Sequence, residues 1–425
     1  MPRALTLSCL ICGLASGSAH AAADRFQLQN GDRVVLLGNT LIEREQRSGY
    51  WETLLTSRYP DRNIQFRNLG WSGDTVFGEA WAEFDTAAVG FQRLKEHVFA
   101  LKPTVIVIGY GLNESFEGEA GLPHFLKGLG TLLDTLTPTR ARMVLLSPLR
   151  HEDLGRPLPD PAEHNRNLRL YRDALRKVAA RRGCPFVDLY DLLGDVARAK
   201  TPAPLTDNGI HLTAYGYWRA AAALERGLGL EPPQWLIQLD AGGKTGAANG
   251  ARLRKSKTSP LCFEVIDAGL PGPPAPVDSP KGAALPRRQR RLRVLRLAAG
   301  KYVLKIDGKP AATATADEWA AGVELKQGPE FDQAEKLRQA IILKNRLYFR
   351  RWRPANDTYL FGFRKYEQGQ NAKEIPQFDP LVAKQEALIA RLRVPVGHRY
   401  EIKEVSRKDA KAAKEERKEE KEKAP

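Results

Sequence analysis

Four short stretches hold most of the side chains in this 425-residue sequence that could do chemistry. Gly38-Asn39-Thr40-Leu41 offers a hydroxyl. Asn68 to Thr75, NLGWSGDT, offers a second hydroxyl, Ser72, between Trp71 and Gly73. Gly109 to Ser115, GYGLNES, brings the amide of Asn113 and the carboxylate of Glu114. Leu205 to Trp218, LTDNGIHLTAYGYW, brings Asp207, Asn208 and His211. Acyl transfer needs such a set: a nucleophile, a base to take its proton, a group to orient the base, and donors for the developing oxyanion. Each residue also has a plainer reading. Thr40 is a good helix N-cap, with Glu43 three residues on in capping-box register. Ser72, in GWSGD, stands near the G-x-S-x-G nucleophile elbow but lacks its last glycine. Asn113 also suits a loop that bonds its own backbone, and Gly73 a tight turn. His151 and Glu152, in SPLRHEDLGRPLPD, suit substrate contact and loop solvation equally, as do Arg150 and Trp71.

The elements that must position these stretches run from Asp32 to about Leu228. RVVLL, IQFRNL, TVIVIGYG, RMVLLSPL and PFVDL read as strands, and SGYWETLLTSRY, FQRLKEHVFAL, LPHFLKGLGTLLDTL, HNRNLRLYRDALRKVAARRG and AYGYWRAAAALERGL as helices. Strands alternating with helices of this length predict a parallel sheet covered on both faces, a three-layer α/β/α domain. The loops at the carboxyl ends of parallel strands emerge at one edge, so the four stretches can converge on one cleft.

The layout resembles the SGNH hydrolases, or GDSL-type esterases, over residues 32–228, which implies their flavodoxin-like sheet. SGDT and Gly111-Leu112-Asn113-Glu114 match the second and third blocks of that family, with Glu114 standing where the family has aspartate. His211, followed by Leu-Thr and Tyr-Gly-Tyr, matches the last block. The resemblance implies an acyl-enzyme on Thr40 with His211 as base. It also implies an oxyanion hole from the Thr40 and Gly73 backbone N–H groups and the Asn113 side chain. Trp71, Ser72, Glu114 and His151 are the expected substrate contacts. Two departures from the family touch the catalytic machinery. Thr40 replaces its serine, and its methyl restricts χ1 and crowds attack. Asn208 stands where the family's aspartate precedes the histidine by three, and an amide cannot stabilise an imidazolium. A local bulge that brought Asp207 to His211 would restore the carboxylate.

The remaining sequence sets the context. Arg3, the apolar run Ala4 to Ala15 and Ala19-His20-Ala21 read as a signal peptide, residues 1–21, and predict export to the periplasm or beyond. Cleavage would leave Cys184 and Cys262, whose pairing stays open. No metal-ligand spacing occurs, and the chemistry needs no cofactor. The net charge of +16 sits largely in Pro286–Leu297, Phe349–Arg353 and a Lys/Glu-rich tail, patterns of solvated faces that do not single out nucleic acid. Residues 235–330 read as a β-rich accessory module, a sandwich being one arrangement, and 331–402 as a helix and an extended covering segment. Residues 403–425 read as a charged tail, helical or disordered. The expected function is an exported hydrolase of small acyl or carbohydrate O-acetyl esters. The alternative is a catalytically silent SGNH fold that binds a glycan or another envelope ligand. Acyl transfer to a second sugar uses the same residues.

Overall fold

In the computed structural model, Arg33–Gly38 (β1), Gln65–Gly70 (β2), Val105–Gly109 (β3), Arg142–Leu146 (β4) and Phe186–Val187 (β5) pair in parallel in the order β2-β1-β3-β4-β5. The structure describes residues 26–191, 203–255, 259, 261–280, 283, 289–367, 369 and 371–405. The expected signal peptide and residues 406–425 of the expected tail lie outside them. Successive strand side chains point to opposite faces, and here both faces are apolar. Val34, Leu36, Val105, Val107, Val144 and Leu146 pack on Tyr50–Arg58 (α2) and Ala214–Gly227 (α6). Val35, Leu37, Ile106, Ile108 and Leu145 pack on Ala87–Ala100 (α3), Gly118–Leu136 (α4) and Ala162–Arg182 (α5). Each such side chain taken from water contributes about 1.5–3 kcal/mol, so the sheet core outweighs any single polar contact. The strand order reverses between β1 and β3, which makes that point the crevice of the sheet.

The edge strand β2 is covered by a long helix, Pro329–Trp352 (α7), which also lies against α2 and the preceding helix Thr40–Ser48 (α1). Lys344 on α7 is buried and donates to both oxygens of Glu52 on α2 at 2.8 Å, and to the carbonyl of Phe66 on β2 at 3.0 Å. A second helix, Phe378–Leu392 (α8), packs on α7 and pairs Glu386 with Arg67 at 2.6 Å. The expectation of an extended covering segment is corrected here. Val382 and Ile389, seven residues apart, are the buried side chains of α8, and Leu388 and Leu392 pack against the cluster that holds Ile389.

Residues 235–404 supply two further sheets. One is ordered Val323–Glu324, Arg290–Leu295, Trp235–Asp240, Thr245–Asn249; the other Lys309–Thr315, Lys301–Ile306, Gly397–Glu404, Cys262–Asp267, Ala251–Lys255. Trp235, Ile237, Phe263, Leu292, Leu304 and Tyr400 from both sheets share one core, as in a sandwich. The module therefore does not end at residue 330: its central strand is Gly397–Glu404, which takes in Lys403 and Glu404 from the expected tail. Arg290 departs from the expected solvated face. It is buried in an ion pair with Asp267, its guanidinium 4.2 Å from the centre of the Trp235 ring. Cys184 and Cys262 are free thiols. No helix among the described residues is long and apolar enough to cross a membrane.

Lys344→Ala should lower the unfolding free energy by about 3–5 kcal/mol, because it leaves the buried Glu52 carboxylate without its cation. Urea denaturation measures this, and a loss under about 1 kcal/mol would mean that water reaches Glu52.

Candidate active site

The candidate site is assembled at the sheet edge by two glycines that have no room for a side chain. A Cβ on Gly38, the last residue of β1, would lie 2.4 Å from the carbonyl oxygen of Gly109 at the end of β3. One on Gly70, the last of β2, would lie 2.2 Å from the backbone nitrogen of Glu43 in α1. Their absence lets α1 start directly on the sheet edge. Asn39 donates its N–H to the Gly109 carbonyl at 3.3 Å, and Trp71 donates to the Gly38 carbonyl at 2.9 Å. The third block is locked to the second by Glu114. Its buried carboxylate accepts the N–H groups of Val76 and Gly111, both at 2.9 Å, and burial pushes its pKa up. Glu114 is thus a clamp between loops, with both oxygens taken, where a substrate contact was expected. On the far side, the Tyr217 hydroxyl donates to the Leu41 carbonyl at 2.8 Å, which ties α6 and the His211 loop to α1.

Thr40 is the first residue of α1 and not its cap. Asn39 caps the helix, accepting from the Leu41 N–H at 3.2 Å. Glu43 closes no capping box. Its carboxylate accepts the Ser72 N–H at 2.8 Å and the Arg353 guanidinium at 2.7 Å. The Thr40 hydroxyl has no protein partner among the described residues, and neither do the N–H groups of Thr40 and Gly73. Gly73 holds φ +82°, with open space where a Cβ would be. Asn113 donates one N–H to the Asp74 carbonyl at 2.7 Å, which orients the amide and leaves its second N–H free. Ser72 is exposed. Trp71 is half-buried under Arg353, 4.1 Å from its ring centre, and touches the rings of Trp81 and Trp352. It therefore fastens α7 to the second block.

His211 and Asn208 meet, and the way they meet decides the chemistry. Asn208 Oδ1 accepts the N–H groups of Ile210 at 3.2 Å and His211 at 2.9 Å. Its Nδ2 therefore faces His211 Nδ1, 3.0 Å away. Flipping the amide would set NH₂ against two N–H donors, so its orientation follows from its own loop. An NH₂ donor requires a lone pair on Nδ1, which puts the ring proton on Nε2. The imidazole is then a donor at the nitrogen that should take the nucleophile's proton. Asp207 does not relieve this, because its carboxylate pairs with Arg44 at 2.7 Å. Burial, and next the Arg44 guanidinium, hold the His211 pKa below the ordinary histidine value, with Asp207 opposing.

Asp74, Ser115 and His164, at this edge, had no sequence signal of their own. Asp74, within SGDT, is fully buried and accepts from the Tyr110 hydroxyl at 2.6 Å, and from Trp81 Nε1 and the Ala80 N–H at 3.1 Å each. Ser115 and His164 form a buried chain with His151. The Ser115 hydroxyl lies 2.7 Å from the Leu112 carbonyl and 2.8 Å from His164 Nε2, and His164 Nδ1 lies 3.0 Å from His151 Nδ1. Glu152 accepts the Thr206 N–H at 2.8 Å and the Leu205 N–H at 3.0 Å, so it holds the His211 loop. Among the described residues no group of three or more His, Cys, Asp or Glu is placed to hold a metal ion.

Burial raises the Asp74 pKa to about 7. The native state then binds a proton that the unfolded chain releases near pH 4, so this group's stabilisation is complete below about pH 4 and is lost as pH rises through about 7. The span is worth about 4 kcal/mol at 1.36 kcal/mol per pKa unit. Urea titrations at pH 4.5 and 7.5 should show stability declining with pH, and Asp74→Asn should flatten that decline. An identical slope in the variant would assign it to other groups.

A family model described as the GDSL-like lipase/acylhydrolase family matches residues 31–219. A solved structure of a gut microbial diltiazem-metabolizing enzyme superimposes with a TM-score of 0.71 at 17% identity, covering 90% of this chain and 100% of that one. At that identity the likeness concerns the fold, and its coverage takes in the C-terminal part. Axe2, an acetylxylan esterase from Geobacillus stearothermophilus, matches 48% of this chain and 98% of its own at 20% identity, with a TM-score of 0.40. Among curated proteins none matches. Over residues 31–219 the chain is similar to the GDSL-like lipase/acylhydrolase family, and its five-stranded parallel sheet with helices on both sides has the SGNH-hydrolase, flavodoxin-like fold.

Proposed function

We propose that the cleft hydrolyses small acyl esters, with carbohydrate O-acetyl esters outside the cytoplasm as the natural class. The observation that carries this reading is the set of N–H groups at one sheet edge that have no protein acceptor among the described residues: Thr40 N, Gly73 N and the second N–H of Asn113. Donors that are held in place before the reaction and aimed at a developing oxyanion usually supply the largest share of acyl-transfer catalysis. Removing one such donor commonly costs about 10²–10³ in rate. A first 21 residues of signal-peptide type would deliver the protein to envelope glycans.

In the family route, Thr40 Oγ1 attacks the acyl carbon as His211 Nε2 takes its proton. The chain keeps the parts of that route but not the proton's destination, because the Asn208 amide favours Nε2–H. The same observation supports a second reading, a silent SGNH fold that uses Asn113, Gly73 and Trp71 to bind a glycan or another envelope ligand.

Hydrolysis of p-nitrophenyl acetate and acetylated xylan by wild type and Asn208→Asp separates the two readings. A carboxylate at 208 accepts from Nδ1–H, frees Nε2 and stabilises the imidazolium, so kcat should rise by about 10²–10⁴. Thr40→Ala in that background should remove the gain. Inert wild type with active Asn208→Asp would favour the binding reading. Inertness of both would remove the hydrolase reading.

A further inference from the structure

The Ser115–His164–His151 chain lies between the two blocks that matter most. Ser115 is two residues after Asn113, and the Phe116 N–H bonds the Asn113 carbonyl at 3.3 Å. On the other side, Glu152 donates its N–H to the Gly209 carbonyl at 2.8 Å. A Cβ on Gly209 would lie 2.6 Å from His151 Nε2. Glycine at 209, with φ +92°, is what lets the imidazole lie against the loop that carries Asn208 and His211.

The protons of this chain can be assigned in order. A carbonyl offers only lone pairs, so at 2.7 Å the Ser115 hydroxyl must donate to the Leu112 carbonyl. With its hydrogen committed, Ser115 can only accept from His164, which places a proton on His164 Nε2. Burial, and next the His151 ring, hold the His164 pKa down at about 4, so His164 is neutral and its Nδ1 carries a lone pair. That lone pair needs a donor 3.0 Å away, which is His151 Nδ1–H. His151 Nε2 is left unprotonated. No protein donor reaches it among the described residues, and it is not among the fully buried unpartnered atoms. An imidazole anchored through Nδ1–H with a bare Nε2 is the arrangement a catalytic base needs. His211 has the opposite one.

We infer that His151 is the general base of this cleft, acting on water, with His164 and Ser115 as the residues that position it. This rests on the hydrolase reading above and gives it a base. His151 Nε2 takes a proton from a bound water, and the water oxygen bonds to the acyl carbon, whose oxygen turns toward Asn113 and Gly73. The intermediate collapses by breaking the bond to the alkoxy oxygen, and the His151 imidazolium returns the proton to that oxygen. Ester and water become acid and alcohol, and no covalent enzyme intermediate forms.

The test uses the full chain with ¹⁵N-labelled histidine and p-nitrophenyl acetate. A two-bond ¹H–¹⁵N correlation spectrum should show His151 protonated at Nδ1 and bare at Nε2. Ser115→Ala should mix the two tautomers, because it removes the fixed end of the chain. His151→Gln should lower kcat by about 10²–10⁴, the usual weight of a general base, and by more than Thr40→Ala does. Ser115→Ala should lower kcat with little change in KM. A proton found on His151 Nε2, or a His151→Gln variant within threefold of wild type, would overturn the inference. Wild type without turnover would overturn the catalytic step together with the hydrolase reading, while the spectrum would still decide the tautomer on its own.

Discussion

The contact on which the rest of this site depends is the approach of α1 to the ends of β1, β2 and β3. Two positions without side chains, Gly38 and Gly70, allow it, with room for no carbon atom at either. The parallel direction of the strands brings the loops to one edge, as in any flavodoxin-like sheet. The glycines let the Asn39 and Trp71 amides bond across blocks, and the Thr40 and Gly73 amides beside them have no protein acceptor among the described residues. Glu114 and Asp74 then hold the loops from beneath. Each is a carboxyl group removed from water, with a raised pKa, surrounded by N–H or O–H donors.

On that frame the proton positions are set by hydrogen-bond sense more than by distance. Asn208 and His211 lie as close as a triad's acid and base would, yet the amide offers a donor where a carboxylate would offer an acceptor. The His151–His164 contact has the same length, and there the assignment runs the other way, because its far end is fixed by a carbonyl. Two imidazoles at one sheet edge are thus held in opposite tautomers. Of the two, His151 presents a lone pair at Nε2 and His211 a proton.

Much of the fold could be read before any coordinates. Runs such as VVLL and VIVI are apolar at every position, which only a strand buried on both faces explains, and glycine followed by polar residues marks where each ends. The four blocks were legible for the same reason, as short polar stretches at strand ends. What could not be read was non-local. Gly397–Glu404 enters a sheet whose other strands lie far back in the chain, between residues 251 and 315, and its local sequence, followed by a charged run, does not announce that pairing. Asn39 takes the cap from Thr40 because Gly38 fixes where the helix begins, one residue earlier than the threonine suggests. Ser115, His151 and His164 come from three separate segments with no shared spacing, so only the fold brings them together. Glu114 reads as a family substitution in sequence, and only its two backbone amides show the clamp.

The central claim is that His211 carries its proton on Nε2 because Asn208 presents its amide NH₂ to Nδ1. Neutron diffraction from a deuterium-exchanged crystal of the full chain locates that atom directly. Deuterium is expected on His211 Nε2, with both deuterons of the Asn208 amide on the nitrogen that faces Nδ1. Deuterium on Nδ1, with the Asn208 oxygen turned toward it, would contradict the account and restore His211 as a base for Thr40.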